Sequence, residues 1–69
     1  MISYKPLQRL IVDRDIKKQD LMKDANISSA TMAKLNTNQY VSLEIIDRLC
    51  NVLVVGPGEL IEYIPDNNK

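Results

Sequence analysis

Aliphatic side chains recur along this chain at helical spacing, in segments too short to be stable alone. Leu7, Leu10 and Ile11 stand at positions i, i+3 and i+4, and the same spacing returns in residues 43–53. That spacing puts the apolar side chains on one face of a helix. Because isolated helices shorter than about 12 residues are marginal in water, these faces must pack together. The pattern therefore predicts an all-α bundle of short helices.

Residues typical of helix starts mark where these segments begin. Pro6 suits a first helical turn, Ser28 and Ser42 are good N-caps, and Lys17 is a poor one. We predict five helices, over residues 5–14, 18–25, 29–36, 43–53 and 57–63. The stretch NVLVV at 51–55 is rich in β-branched residues and is an alternative strand, although it continues the apolar face of the fourth helix.

A chain of 69 residues makes one domain, which we predict to span 1–69, with its core over 5–64 and a solvated tail over 65–69. The sequence has one cysteine, Cys50, and no histidine. This composition excludes an internal disulfide and an ordinary zinc site, and we expect no cofactor, no metal, no small-molecule substrate and no enzymatic activity. The lone thiol indicates a cytoplasmic location, and the sequence lacks the run of about 18 apolar residues that a membrane span needs.

Charge is distributed unevenly along the chain, although the net charge is zero. Residues 1–42 hold seven lysines and arginines against four aspartates, a balance of +3, and residues 43–69 hold the opposite balance of −3. Such asymmetry indicates a basic working face and an acidic remote face. A basic face attracts a phosphate backbone, whereas overall neutrality weighs against a strong nucleic-acid binder.

Only Asn26, Ile27 and Ser28 separate the second and third predicted helices. Two helices joined by so short a turn cross steeply, as in a helix-turn-helix, whose second helix enters the DNA major groove by its N-terminal end. The third helix opens with the small residues Ser29 and Ala30. A first turn of small side chains suits a helix whose N-terminal end lies in a groove.

The stretch I-K-K-Q-D-L-M-K-D-A-N-I-S-S-A-T-M-A-K-L, residues 16–35, resembles the Cro/CI-type (Xre) helix-turn-helix domains of bacterial and phage transcriptional regulators. Core and turn positions match in order at Ile16, Leu21, Ile27, Ser28, Met32 and Leu35. The likeness extends from Leu7 to about Ile64. It implies a five-helix lambda-repressor-like fold and a homodimeric regulator, typically a repressor. Such a regulator reads the major groove of double-stranded DNA with its third helix.

Carried over position by position, the resemblance also implies a set of DNA contacts. Ser29, Ala30 and Lys34 fall on the positions that read base edges. Contacts to the sugar–phosphate backbone are implied for Lys18, Ser28, Thr31, Asn36, Asn38 and Gln39. Lys17 carries a charge that could neutralise a further phosphate. All of these residue types are also common on an ordinary solvated helix surface, and Ser28 is a helix cap in either case.

The chain departs from the family pattern at several turns. Asn26 stands where the family has the turn glycine, and Asn36 where it often has an acidic residue. Val54 occupies the exit of the fourth helix, where members often carry glycine or another residue tolerant of positive φ. Because a β-branched residue is costly in that conformation, Gly56 is an alternative for the same role.

The apolar segment 52–64 either completes the core through the fifth helix or pairs two monomers. We predict a homodimer interface at Val54, Val55, Ile61, Tyr63 and Ile64. The alternative function is a protein-interaction module of antitoxin or anti-repressor type with little DNA binding of its own, since one fold serves several functions. Zero net charge and the Ser-Ser-Ala opening of the third helix favour that alternative.

Overall fold

The structure, a computed structural model, describes residues 1–65, and residues 66–69 of the predicted tail lie outside the described residues. Within 1–65 the chain forms four α-helices, one turn of 3₁₀-helix and a small antiparallel sheet. In chain order these are β1 (Ile2–Ser3), α1 (Lys5–Asp13), α2 (Lys18–Ala25), α3 (Ser29–Asn36), α4 (Leu43–Leu53), the 3₁₀ turn (Pro57–Glu59) and β2 (Glu62–Tyr63). Among these described elements, no helix is long and apolar enough to cross a lipid bilayer.

Side-chain caps start two of the helices where the sequence predicted them. Oγ of Ser28 accepts a hydrogen bond from Thr31 N–H at 3.1 Å, and Oγ of Ser42 accepts one from Ile45 N–H at 3.4 Å. Each bond satisfies an N–H group that the start of a helix leaves unpaired. Lys17 stands at the N-cap of α2, where its ammonium can only donate and therefore cannot cap the helix.

The prediction of a fifth helix over 57–63 is wrong. Helical structure in this segment is a single 3₁₀ turn over Pro57–Glu59, and the chain then extends into β2, which pairs antiparallel with β1. The register places Ile2 opposite Tyr63. Proline at the first position suits either a turn or a helix start, but Gly58 at the second lowers the helix propensity of the segment. The all-α prediction is therefore correct for four helices and misses the sheet.

Helix α4 ends at Leu53, as predicted, and both alternatives considered for the following segment are wrong. The strand considered for 51–55 is wrong, because α4 extends into that stretch. Val54 follows the helix with φ 58° and ψ 54°, the left-handed conformation in which helices often end. The alternative role for Gly56 is wrong, since its φ is −87°. The N–H of Val55 donates to the carbonyl oxygen of Cys50 at 3.2 Å, which secures the reversal of the chain directly after α4.

Leucines from every helix meet in the centre of the core. These fully buried side chains are Leu7 of α1, Leu21 of α2, Leu35 of α3, Leu49 of α4 and Leu60 before β2. Burying one such side chain contributes about 1.5–3 kcal/mol, so this cluster holds the short helices together. It also fixes α3 with one side in the core and the other side in solvent.

Candidate nucleic-acid interface

The turn between α2 and α3 is fixed by main-chain geometry and by α4. Asn26 ends α2 in the left-handed conformation, with φ 56° and ψ 53°, which asparagine tolerates better than most residues. Ile27 follows and is buried in the core, which holds the turn inward. From α4, the guanidinium of Arg48 donates to the carbonyl oxygen of Asn26 at 3.0 Å. The orientation of α3 is therefore set by the core and by α4 as well as by the turn.

The helix α3 buries one side and exposes its start. Met32 and Leu35 are buried, whereas Ser29, Ala30 and Lys34 are exposed. The first turn thus presents a hydroxymethyl and a methyl group, and another molecule can approach its backbone closely. Lys34 brings the one charged side chain of this helix to the surface one turn later.

A compact pair of hydroxyl groups lies at the start of α3. Ser28 Oγ donates to Thr31 Oγ1 at 3.1 Å and accepts from Thr31 N–H at the same distance. Ser28 therefore serves the helix as its cap. Thr31 Oγ1 accepts the hydrogen bond from the Ser28 hydroxyl, so the hydrogen of the Thr31 hydroxyl remains available to an acceptor oxygen of a ligand.

The predicted lysines of α2 lie at exposed positions, Lys17 at the N-cap and Lys18 in the first turn. The ammonium of Lys18 lies 3.4 Å from Oδ1 of Asn36, the last residue of α3. Lys18 thus links the start of α2 to the end of α3 and stays accessible to an anion.

The loop that follows α3 is attached to the N-terminal segment through Tyr4. Asn38 adopts φ 58°, and its Oδ1 accepts a hydrogen bond from Tyr4 N–H at 3.1 Å. The Tyr4 hydroxyl donates to the carbonyl oxygen of Gln39 at 2.7 Å. Tyr4 is 3% exposed, and burial raises the pKa of its hydroxyl, an effect opposed by a hydrogen bond from Val41 N–H.

Comparison with known proteins assigns this arrangement to a family. The sequence matches a family model described as a Cro/C1-type HTH DNA-binding domain over residues 6–66. The chain belongs to that family. The Cro/C1-type domain is also similar to the crystal structure of the transcriptional regulator VanUg, form II. The TM-score is 0.87 and the sequence identity is 38%, over 94% of this chain and 87% of that chain. No curated protein matches the sequence.

Besides Arg48, two side chains that support the candidate interface of this Cro/C1-type domain were not predicted from the sequence. Tyr4 holds the loop after α3. Gln8 of α1 donates through Nε2 to Oδ1 of Asn36 at 3.1 Å, and the same nitrogen lies 3.5 Å from the carbonyl oxygen of Leu35. In the sequence, Gln8 is recognisable as a polar residue next to the apolar face of a helix. Many surface residues without any supporting role have the same position, so this signal does not single out Gln8. These contacts join segments that are 27 or more positions apart in the sequence.

The residues predicted for a dimer interface of the Cro/C1-type domain differ in exposure. Val54 is 85% exposed and Tyr63 is 68% exposed. Val55 and Ile61 pack against the core, and Ile64 is half-buried. The exposed patch within the predicted dimer interface therefore consists of two side chains, Val54 after α4 and Tyr63 in β2.

Proposed function

We propose that this Cro/C1-type domain is a transcriptional regulator that binds double-stranded DNA sequence-specifically, with α3 in the major groove. The observation that carries the proposal is the exposed first turn of α3, where Ser29 and Ala30 bear only small side chains. The buried turn residue Ile27 and the Arg48 contact hold this helix end in one orientation. Occupancy of an operator excludes other proteins from the same DNA, so the domain acts as a repressor.

Lys34 is the side chain of α3 best suited to read a base. It is exposed, and an ammonium donates to O6 and N7 of guanine. Ala30 offers its methyl group to the methyl of thymine, and the Ser29 hydroxyl pairs with several base edges. Discrimination at one guanine therefore depends mainly on Lys34, at about 1–3 kcal/mol for a well-placed contact.

The backbone contacts come from both helices of the motif. Lys17 and Lys18 supply positive charge, and Thr31 supplies a hydroxyl donor, while Ser28 contributes by capping the helix. Each neutralised phosphate adds about 0.9 to the slope of log affinity against log salt. With zero net charge, the domain has modest affinity and a clear salt dependence.

The domain works as a homodimer, with two copies of α3 reading half-sites about 34 Å apart. Val54 supports this part of the proposal, because a β-branched residue in the left-handed conformation costs stability and is 85% exposed within the monomer. Strain of this kind is retained where a residue has another role. A second copy that covers Val54 and Tyr63 would remove both exposed apolar side chains from water.

Selection from a randomised duplex pool at low salt tests the DNA-binding proposal. The wild type should enrich a pseudo-palindrome, Lys34→Glu should lose it, and Lys34→Arg should retain it, since arginine makes the same donor contacts to guanine. If the wild type enriches no sequence, or if Lys34→Glu enriches the same one, reading by α3 is refuted.

Sedimentation tests the dimer. Val54→Glu and Tyr63→Glu should lower the average mass toward that of the monomer. Val12→Glu is the matched control, because Val12 is 75% exposed on α1, outside the patch. A wild type that stays monomeric at high concentration and on operator DNA would rule out the homodimer.

A protein-interaction module is the second candidate, and the zero net charge is the observation that favours it. A module of this kind binds its partner through contacts other than phosphates. Its association with duplex DNA would then be weak, with no preference for sequence. Steep salt dependence together with an enriched sequence supports the regulator, and their joint absence supports the interaction module.

A further inference from the structure

Three side-chain amides, those of Asn36, Asn38 and Gln39, lie at the end of α3 and just after it, and all are exposed. An amide has two unlike ends, an oxygen that accepts hydrogen bonds and an NH₂ group that donates them. Phosphate oxygens only accept. An amide can therefore bind the DNA backbone only if its NH₂ group faces outward.

The orientation of the Asn38 amide is set by the main chain. Its Oδ1 lies 3.1 Å from the backbone nitrogen of Tyr4. Since a backbone N–H can only donate, the atom of Asn38 that faces Tyr4 must be the oxygen. The NH₂ group therefore points away from this contact and toward solvent.

The Asn36 amide has the same polarity for a different reason. Its Oδ1 accepts from Nζ of Lys18 at 3.4 Å, and an ammonium only donates. It also accepts from Nε2 of Gln8 at 3.1 Å, and that nitrogen is identified by its second neighbour, the carbonyl oxygen of Leu35 at 3.5 Å. The donors of α1 and α2 thus use the oxygen and leave the NH₂ group of Asn36 outward.

Gln39 has the opposite polarity. Its Nε2 donates to Oγ1 of Thr37 at 3.0 Å. The Thr37 hydroxyl gives its own hydrogen to the carbonyl oxygen of Ala33 at 3.0 Å, so toward Gln39 it can only accept. Gln39 therefore presents its Oε1 to solvent, and an acceptor oxygen next to a phosphate oxygen is unfavourable.

We propose that Asn36 and Asn38 donate hydrogen bonds to DNA phosphates, whereas Gln39 does not contact them. Tyr4, Gln8 and Thr37 are positioning residues that fix these orientations without touching DNA. This inference rests on the proposed DNA binding and identifies which of three neighbouring amides contact the phosphodiester backbone.

Two charge-matched variants test the proposal on the duplex enriched by the wild type. Asn38→Asp keeps an oxygen for Tyr4 N–H, tolerates the left-handed conformation, and replaces the outward NH₂ group by an oxygen. Gln39→Glu adds the same charge at the next residue. Asn38→Asp should weaken binding by at least about tenfold, as expected for a lost hydrogen bond to a charged group. Gln39→Glu should weaken it by less than about threefold, since exposed charges are screened.

Two neutral variants repeat the comparison in case the aspartate destabilises the loop. Asn38→Gly accepts φ 58° without strain and removes the donor, and Gln39→Ala removes the other amide. The melting temperatures of both variants show whether the loop is destabilised. Asn38→Gly should bind the duplex several-fold more weakly, with an unchanged slope of log affinity against log salt, because the neutral amide of Asn38 displaces no counterion from the phosphates. Gln39→Ala should stay within about twofold of the wild type.

A double-mutant cycle tests the positioning role of Thr37. Thr37→Val removes the acceptor that holds the Gln39 amide, so the NH₂ group can turn outward. Gln39→Glu should then cost more affinity in the Thr37→Val background than in the wild type, a coupling that a merely structural role would not produce. Equal effects of Gln39→Glu in both backgrounds would refute the positioning role.

DNA binding itself and the assignment of the three amides are refuted by different results. If the wild type enriches no duplex, the DNA-binding function itself is refuted. If the wild type binds and depends on Lys34, but Gln39→Glu weakens binding as much as Asn38→Asp, DNA binding stands and the assignment of amides is overturned.

Discussion

Replacing Val54 by glycine should stabilise the protein, although it removes an apolar side chain. Val54 has φ 58° and ψ 54°. The left-handed conformation costs an L-residue about 1–2 kcal/mol, and a β-branched side chain is among the least tolerant of it. Since the side chain is 85% exposed, its removal loses little buried surface. Relief of backbone strain therefore dominates the change in the folded state.

Glycine also gives the unfolded chain more freedom, which lowers stability by about 0.5–1 kcal/mol. The difference between the two effects is a gain of about 1 kcal/mol in the free energy of unfolding. For a domain of this size, such a gain raises Tm by about 4–8 °C. Thermal melts followed by circular dichroism measure the Tm, and urea unfolding measures the free energy.

The matched control is Val12→Gly, because Val12 is 75% exposed but lies inside α1. Glycine relieves no left-handed strain at that position and should lower Tm slightly. The reasoning is refuted if Val54→Gly is no more stable than the wild type, or if both glycine variants shift Tm in the same direction. Melts at low and high protein concentration separate this effect from dimerisation, since loss of the Val54 side chain should weaken a dimer.

The helix caps and the ionisable groups give three further tests. Lys17→Ser supplies an N-cap acceptor for α2 and should raise the free energy of unfolding, measured in urea, by about 1 kcal/mol. Because the variant also removes a positive charge, it should flatten the salt dependence of duplex binding. Burial raises the pKa of the Tyr4 hydroxyl above 10.0. The protonated hydroxyl therefore contributes its full stabilisation below pH 10.0, and this contribution is lost as the pH rises through the raised pKa. Tyr4→Phe, which has no group to ionise at this position, should show a smaller fall in Tm at alkaline pH than the wild type. Burial, then the charges of Asp47 and Glu59, raise the pKa of the Cys50 thiol, so alkylation by iodoacetamide should be slower in the folded protein than in the unfolded chain.

The helices of the motif could be predicted because their signals are local. The predicted bounds 18–25, 29–36 and 43–53 agree with α2, α3 and α4. Ser28 and Ser42 cap the last two of these helices, as their chemistry predicts. Capping residues and apolar spacing both act within one or two turns, so a window of the sequence contains the whole signal.

The sheet and the end of α4 depend on contacts between distant segments. Each strand has two residues, which is too short for an alternating pattern, and Ile2 pairs with Tyr63 across almost the whole chain. At the exit of α4, residue preference favours Gly56 for the left-handed position, yet Val54 occupies it. Core packing fixes where α4 ends, and this constraint overrides the local preference.

The candidate interface combines positions fixed by the core with positions that the core leaves free. On α3, Met32 and Leu35 face the core, so the fold selects their residue types, and the sequence pattern reveals them. The hydrogen-bond polarity of the Asn36 and Asn38 amides is set by contacts with Gln8 and Tyr4, which are distant in the sequence, and follows only from the assembled structure. Because the exposed side chains of α3 carry no packing role, they can change without loss of the fold. In the proposed complex, the fold therefore sets where the domain meets DNA and which groups donate there, while the exposed positions of α3 set which bases are read.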